Sequence, residues 1–276
     1  MKRIAALVTL LVAACCSAAD LSPKLLRLIG DDARMVTGAD LGRQRDSVLE
    51  QFLRSGVTPD ADTRPTYQVL WIERGSANSP ATLTVVMGAA PSKVPDEPDE
   101  FTALDAITRV AGDPESIAEA QRRWTVEQPL SLMAAKVRRL AQSYDNWFLL
   151  VKPFSAAAGT QGAVSGEAAP VRKYRQELIE AVEEISGGIR FGSINELHLE
   201  AVFRSPEDAS AVATLARWLP GILQVQGSDS PVSVLVDAVE NFTVHADGQR
   251  ASISLWIPEE KARALIEARK ARQVVE

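Results

Sequence analysis

The chain has 276 residues, 46% of them hydrophobic and 24% charged, with a net charge of −6 at pH 7. That composition is globular, and the acidic balance argues against nucleic acid or an anionic membrane surface as a partner. Both cysteines, Cys15 and Cys16, lie within residues 1–19, so the fold that follows has no disulfide framework, thiolate metal site or catalytic cysteine.

Residues 1–19 read as a secretory signal. Lys2 and Arg3 form a basic start, Ile4 to Ala14 an apolar run, and Ser17-Ala18-Ala19 a small-residue exit. The run is shorter than the roughly 20 residues that cross a bilayer, and no later stretch qualifies, so no transmembrane span is expected. Two processing sites compete. Cleavage after Ala19 would release a periplasmic or secreted chain starting at Asp20. Val12-Ala13-Ala14-Cys15 alternatively fits a lipobox, which would lipidate Cys15 and anchor a lipoprotein to the membrane.

A helix is expected over 21–29, a strand over 33–40 and a second helix over 43–55. Apolar, β-branched runs then predict strands near 67–73, 82–88 and 102–110. Asp113-Pro114-Glu115 has the residues of a helix start, and Met133, Ala134, Val137, Leu140 and Ala141 recur at helical spacing. A strand over 147–151 closes this half.

Residues 155–170 hold Gly159, Gly162 and Gly166 without aromatic residues or periodicity, and read as a flexible connector. Beyond it a helix is expected over 171–186, stopped by Gly187-Gly188. A strand region covers 189–204. Ser205-Pro206-Glu207-Asp208 then opens a helix over 206–225, its buried face drawn from Ala209, Val212, Leu215, Leu219 and Ile222. Strands are expected over 232–238, 241–246 and 250–257. Asp247-Gly248 is taken as the two-residue turn of a hairpin, which sets Val244 opposite Ala251, Phe242 opposite Ile253 and His245 opposite Arg250. Ile257-Pro258-Glu259 opens the last helix.

Both halves thus run α-β-α-β-β-β-α. The expected class is α+β, with two lobes, 20–154 and 171–276, each a mostly antiparallel sheet with helices packed on one face.

Chemistry-bearing patterns are few. No HExxH, GxSxG, SxxK or phosphate-binding loop occurs. Asp60-Ala61-Asp62 starts like a calcium loop but lacks its glycine and distal glutamate. The acids Asp96, Glu97, Asp99 and Glu100 stand in a proline-rich loop and read as hydrated. Glu177, Glu180, Glu183 and Glu184 fall off the apolar stripe of their expected helix and so face water. His198 and Glu200 share the polar side of a strand, an arrangement open to proton transfer or metal ligation, and equally that of an ordinary solvated face. Trp71, Trp124, Trp147 and Trp218 are assigned to the core or its edge. Trp256 alternates out of phase with Ile253, Leu255 and Ile257, onto a polar side with His245. No catalytic, cofactor or metal site is assigned. His198, Glu200, His245 and Trp256 form a candidate surface.

Leu25-Leu26-Arg27-Leu28-Ile29, Arg34-Met35-Val36-Thr37-Gly38-Ala39-Asp40, Ala111-Gly112-Asp113-Pro114-Glu115-Ser116 and Ile185-Ser186-Gly187-Gly188-Ile189-Arg190-Phe191-Gly192 carry a further signal. On these stretches the chain resembles exported bacterial envelope proteins of unknown function. The resemblance implies an envelope location and no activity. The function expected is a non-catalytic protein-interaction module, through a protein partner or self-association. The alternatives are a small-molecule or lipid carrier with an interlobe cleft, and a hydrolase built on His198 and Glu200.

Overall fold

The structure, a computed structural model, describes residues 21–40, 47–49, 66–76, 79–89, 101–152, 177, 179–218 and 239–273. The expected helix 43–55 lies outside these residues apart from a helical turn at 48–49. The connector 155–170, the strand 232–238, Asp60-Ala61-Asp62 and the acids of 96–100 lie outside them altogether. The described elements are α+β, and every strand pairing between them within a unit is antiparallel. The chain divides into two compact units. One takes residues up to Arg45 and Leu53–Val151, the other Asp46–Phe52 and Lys152–Glu276.

In the N-terminal unit, α1 (Pro23–Arg27) starts at Ser22, whose hydroxyl accepts from the Lys24 amide at 3.3 Å, with Pro23 in the first turn. β1 (Ala33–Asp40), β2 (Thr66–Ser76) and β3 (Ser79–Ala89) follow. The single strand expected over 102–110 is in fact two, β4 (Thr102–Ala103) and β5 (Thr108–Gly112). Asp105 parts them: its carboxylate accepts from the Ile107 and Thr108 amides at 3.0 and 2.8 Å, a local turn that competes with the ladder. α2 (Pro114–Thr125), α3 (Leu132–Ser143) and β6 (Asn146–Val151) complete the unit, in the strand order β4-β5-β3-β2-β1-β6.

The pairing puts Val36, Leu70, Ile72, Leu83, Val85, Val110, Trp147 and Leu149 on one face, where period-2 alternation sends them together. They pack under α1, α2 and α3 through Leu25, Leu26, Ala120, Met133, Ala134 and Val137. Each such aliphatic side chain contributes about 1.5–3 kcal/mol by leaving water. Gly38 stands opposite Trp147, and a Cβ there would overlap the indole, so the missing side chain is what admits the ring.

α2 begins at Asp113, which accepts from the Ser116 amide and hydroxyl, both at 2.9 Å, and from the Thr82 amide of β3, also at 2.9 Å. One carboxylate therefore caps the helix and pins it to the sheet. Burial works against its charge, but the bonds from Ser116 and Thr82 outweigh that and hold its carboxyl below the ordinary value. Nearby, Arg74 is buried and donates to the Leu28 carbonyl at 2.7 Å, with Asp32 at 3.6 Å from its Nε. Arg123 bridges Asp32 and Glu119. Hydrogen bonds from Arg122, against some burial and with help from Arg123, hold Glu119 down to about 2.

In the C-terminal unit, β7 (Val182–Arg190), β8 (Ile194–Phe203), β10 (Arg250–Pro258) and β9 (Asn241–Asp247) pair in that order. α4 (Pro206–Ala216) precedes β9, and α5 (Glu259–Gln273) follows β10. The helix expected over 171–186 is wrong at its end, since residues 182–186 belong to β7 and Gly187-Gly188 lies inside that strand. A Cβ on Gly187 would strike the His198 carbonyl, so this glycine permits close strand approach where a helix stop was expected. Glu183 and Glu184 accordingly stand on a strand. The strand region expected over 189–204 is β8 together with the end of β7.

The hairpin register also needs correction. The turn residues are Gly248-Gln249, closed by Asp247 opposite Arg250. Gly248 alone has positive φ, at 53°, the pattern of a turn that takes glycine at its first central position. Val244 therefore faces Ile253, Phe242 faces Leu255 and His245 faces Ser252. The shift is two residues, so every side chain keeps its expected face.

Ser205 caps α4 as its residue type predicts, accepting from the Asp208 amide at 3.1 Å. Its buried residues are Ala209, Ala213 and Ala216, with Val212 packed beside them, while Leu215 is exposed. Leu219 and Ile222 lie outside the described residues. Ala209 and Ala213 meet Phe203, Ala251, Ala201 and Val244 on the sheet.

Candidate functional site: the polar face of the C-terminal sheet

The alternation of β8 sends Ile194, Glu196, His198 and Glu200 to one side. Register sets Trp256 opposite Glu196, Ser254 opposite His198, and Ser252 opposite Glu200. β9 extends these rows with Asn241, Thr243 and His245. On the other flank, β7 adds Arg190, Gly188 and Ser186. The four candidate residues His198, Glu200, His245 and Trp256 thus share one face, spread over three strands.

Their polar groups are engaged across strands. Arg190 pairs with Glu196, and Arg250 donates to Glu200 at 2.6 Å. His198 Nδ1 lies 2.9 Å from the Ser254 hydroxyl. The His198 and Glu200 side chains therefore have different partners, a serine and an arginine. Surface pairs of this kind contribute about 0–1 kcal/mol each, so their main effect is to hold register. His245 is exposed. Among the described residues, no group of three or more His, Cys, Asp or Glu is placed to hold a metal ion, and no helix is long and apolar enough to cross a membrane.

Two large apolar side chains break this polar field. Trp256 is 44% exposed and Ile194 46% exposed. Glu240 at the entry to β9 donates its amide to the Trp256 carbonyl at 2.9 Å and accepts from Lys261 at 3.0 Å, fixing the backbone beside the indole. The alternation that exposes Trp256 also exposes Ile194, a signal present in the sequence and passed over there. Trp218 reverses its assignment: it is 69% exposed just past the end of α4 instead of lying at a core edge. Trp147 is buried, while Trp71 and Trp124 are half-buried, and Lys24 lies over the Trp124 ring at 5.3 Å. Glu177 and Glu183 are exposed, but Glu180 and Glu184 are half-buried, not fully in water as expected.

Searches against protein-family models, curated proteins and solved structures return no match to this chain.

Proposed function

We propose that this chain is an exported envelope protein acting as a non-catalytic protein-interaction module, and that the polar face of β7-β8-β10-β9 is its contact surface. Export rests on the basic, apolar and small-residue order of residues 1–19. The observation that carries the contact surface is Trp256. A half-exposed indole beside an exposed isoleucine, framed by paired charges, has the make-up of an interface anchor with a polar rim. The charges around it are matched, so a partner meets them without leaving a buried charge unpaired. The two-lobed organisation, with its similar element order in each half, belongs to the same reading: each lobe would offer one sheet face.

Photo-crosslinking in the native envelope tests this. A crosslinker at position 256 is expected to capture a protein, whereas one at the exposed Arg138 on α3 is not. With the crosslinker moved to the exposed Ile194 on the same face, Trp256→Ala should weaken capture by about tenfold or more, the size of an interface anchor. No adduct at 256, together with turnover of a substrate by the purified protein, would reject the proposal.

A further inference from the structure

A buried polar cluster in the C-terminal unit plays no part in the polar face. Asp46–Phe52 comes from the chain between β1 and β2 yet belongs with the C-terminal unit. Its described residues Ser47, Val48 and Leu49 begin a helical turn, and Ser47 and Leu49 are 3% and 4% exposed. Glu259, the first residue of α5, reaches this turn. One carboxylate oxygen accepts from the Val48 amide. The other lies 3.0 Å from the Ser47 hydroxyl and 2.9 Å from the Asn195 side-chain nitrogen. Asn195, itself buried, donates also to the Ile257 carbonyl at 3.2 Å, and its oxygen stands 3.2 Å from the Ser47 hydroxyl. Glu259 is held in turn by its own amide, which donates to the Ser193 carbonyl at 3.0 Å.

A carboxylate at the start of a helical turn is favoured twice, by the free amides there and by the positive end of the peptide dipoles. Hydrogen bonds to a charged acceptor are also stronger than neutral ones. Ser47 is too buried for its hydroxyl to meet a substrate, so the cluster is a fastening and not a reactive dyad. Among the described residues of this segment, Leu49 is the one buried apolar anchor. Among the described residues, the turn is held by Leu49, by the Ser47–Asn195 hydrogen bond and by the Glu259 carboxylate, which engages both Ser47 and Val48.

We infer that Glu259 is a latch: it clasps the Ser47–Leu49 turn to the C-terminal unit, and losing the carboxylate opens that turn as a local event while the sheet stays formed. Local opening of a small unit below the global unfolding limit is an ordinary property of folded chains. The consequence is a strap, threaded between β1 and β2 in sequence, that a side chain more than 200 residues away (211 from Val48) fastens.

Hydrogen exchange read at single amides tests the latch. In Glu259→Ala, protection at Val48 should fall by about tenfold or more, with the amides of the paired residues His245 and Ser252 unchanged. Glu259→Gln keeps an oxygen for Val48 but turns an amide nitrogen toward Ser47 and Asn195, and should fall between wild type and alanine. Ser47→Ala, which leaves the Val48 bond in place, should lose only about threefold. In a Leu49→Cys background, Glu259→Ala should speed thiol labelling by a similar factor. Unchanged protection at Val48 would overturn the latch. So would an equal loss across β8 and β10, which would make Glu259 a plain structural contact.

Discussion

The strands of the two units are covered differently. In the N-terminal unit the inward residues Val36, Leu70, Ile72, Leu83 and Val85 are wholly buried beneath three helices. In the C-terminal unit one buried cluster is Phe203 with Ala181, Ala209, Ala213 and Ala251, and the strand residues Leu197, Leu199, Ile253 and Leu255 are only half-buried. The strand orders differ too. β1 pairs with β2, the next strand in the chain, whereas β8 passes over β9 to pair with β10. The two units thus differ in strand order and in what covers their strands. The first draws its cohesion from aliphatic burial. The second combines an alanine-rich cluster under Phe203 with further buried residues such as Phe191, Ile257 and Ile266, and carries polar rows across its strands. A face already rich in matched polar pairs is the one better suited to meeting a partner.

The largest expected effect probes the C-terminal cluster, where Phe203 is the single large buried side chain. Phe203→Ala should cost about 3–5 kcal/mol in denaturant unfolding. A loss under about 1 kcal/mol would break the contrast, because alanine packing would then suffice. Next comes the N-terminal sheet. Gly38→Val drives a branched side chain into the Trp147 ring and should cost about 1–3 kcal/mol, with a changed near-ultraviolet signal from the tryptophans. An unchanged melting profile would show that this sheet yields more than its burial implies. The smallest effect is at the α2 cap. Asp113→Ala should cost about 0.5–2 kcal/mol. Since Asp113 has a lowered native pKa, its contribution is complete above about pH 4, where the unfolded carboxyl is ionised, and is lost as pH falls through the native value. The gap between wild type and Asp113→Ala should therefore close in acid, and a gap that persists there would separate the cap from its charge.

Much of the local structure was legible from residue types. Ser22, Asp113 and Ser205 cap helices, each followed by a proline that suits the first turn, and β1 has the bounds expected of it. The face of each β8, β9 and β10 residue was legible too, because strand alternation is a local property. The hairpin register was not. Asp247-Gly248 and Gly248-Gln249 are both plausible turns by composition, and the choice went to the one that matches Phe242 with Leu255 and Asp247 with Arg250. Gly187-Gly188 misled for a related reason: a glycine pair stops a helix or lets strands close up, depending on what lies beside it.

What the order of residues determined alone was periodicity and punctuation, since helix caps, turn glycines and alternating faces are settled within a few residues of chain. What only the tertiary structure decided was partnership. Ser47 is separated from Asn195 by 148 residues and from Glu259 by 212, and nothing local in any of the three marks the others. Trp218 has the sequence surroundings of a core residue and stands in solvent, because burial depends on which elements arrive from elsewhere to cover it.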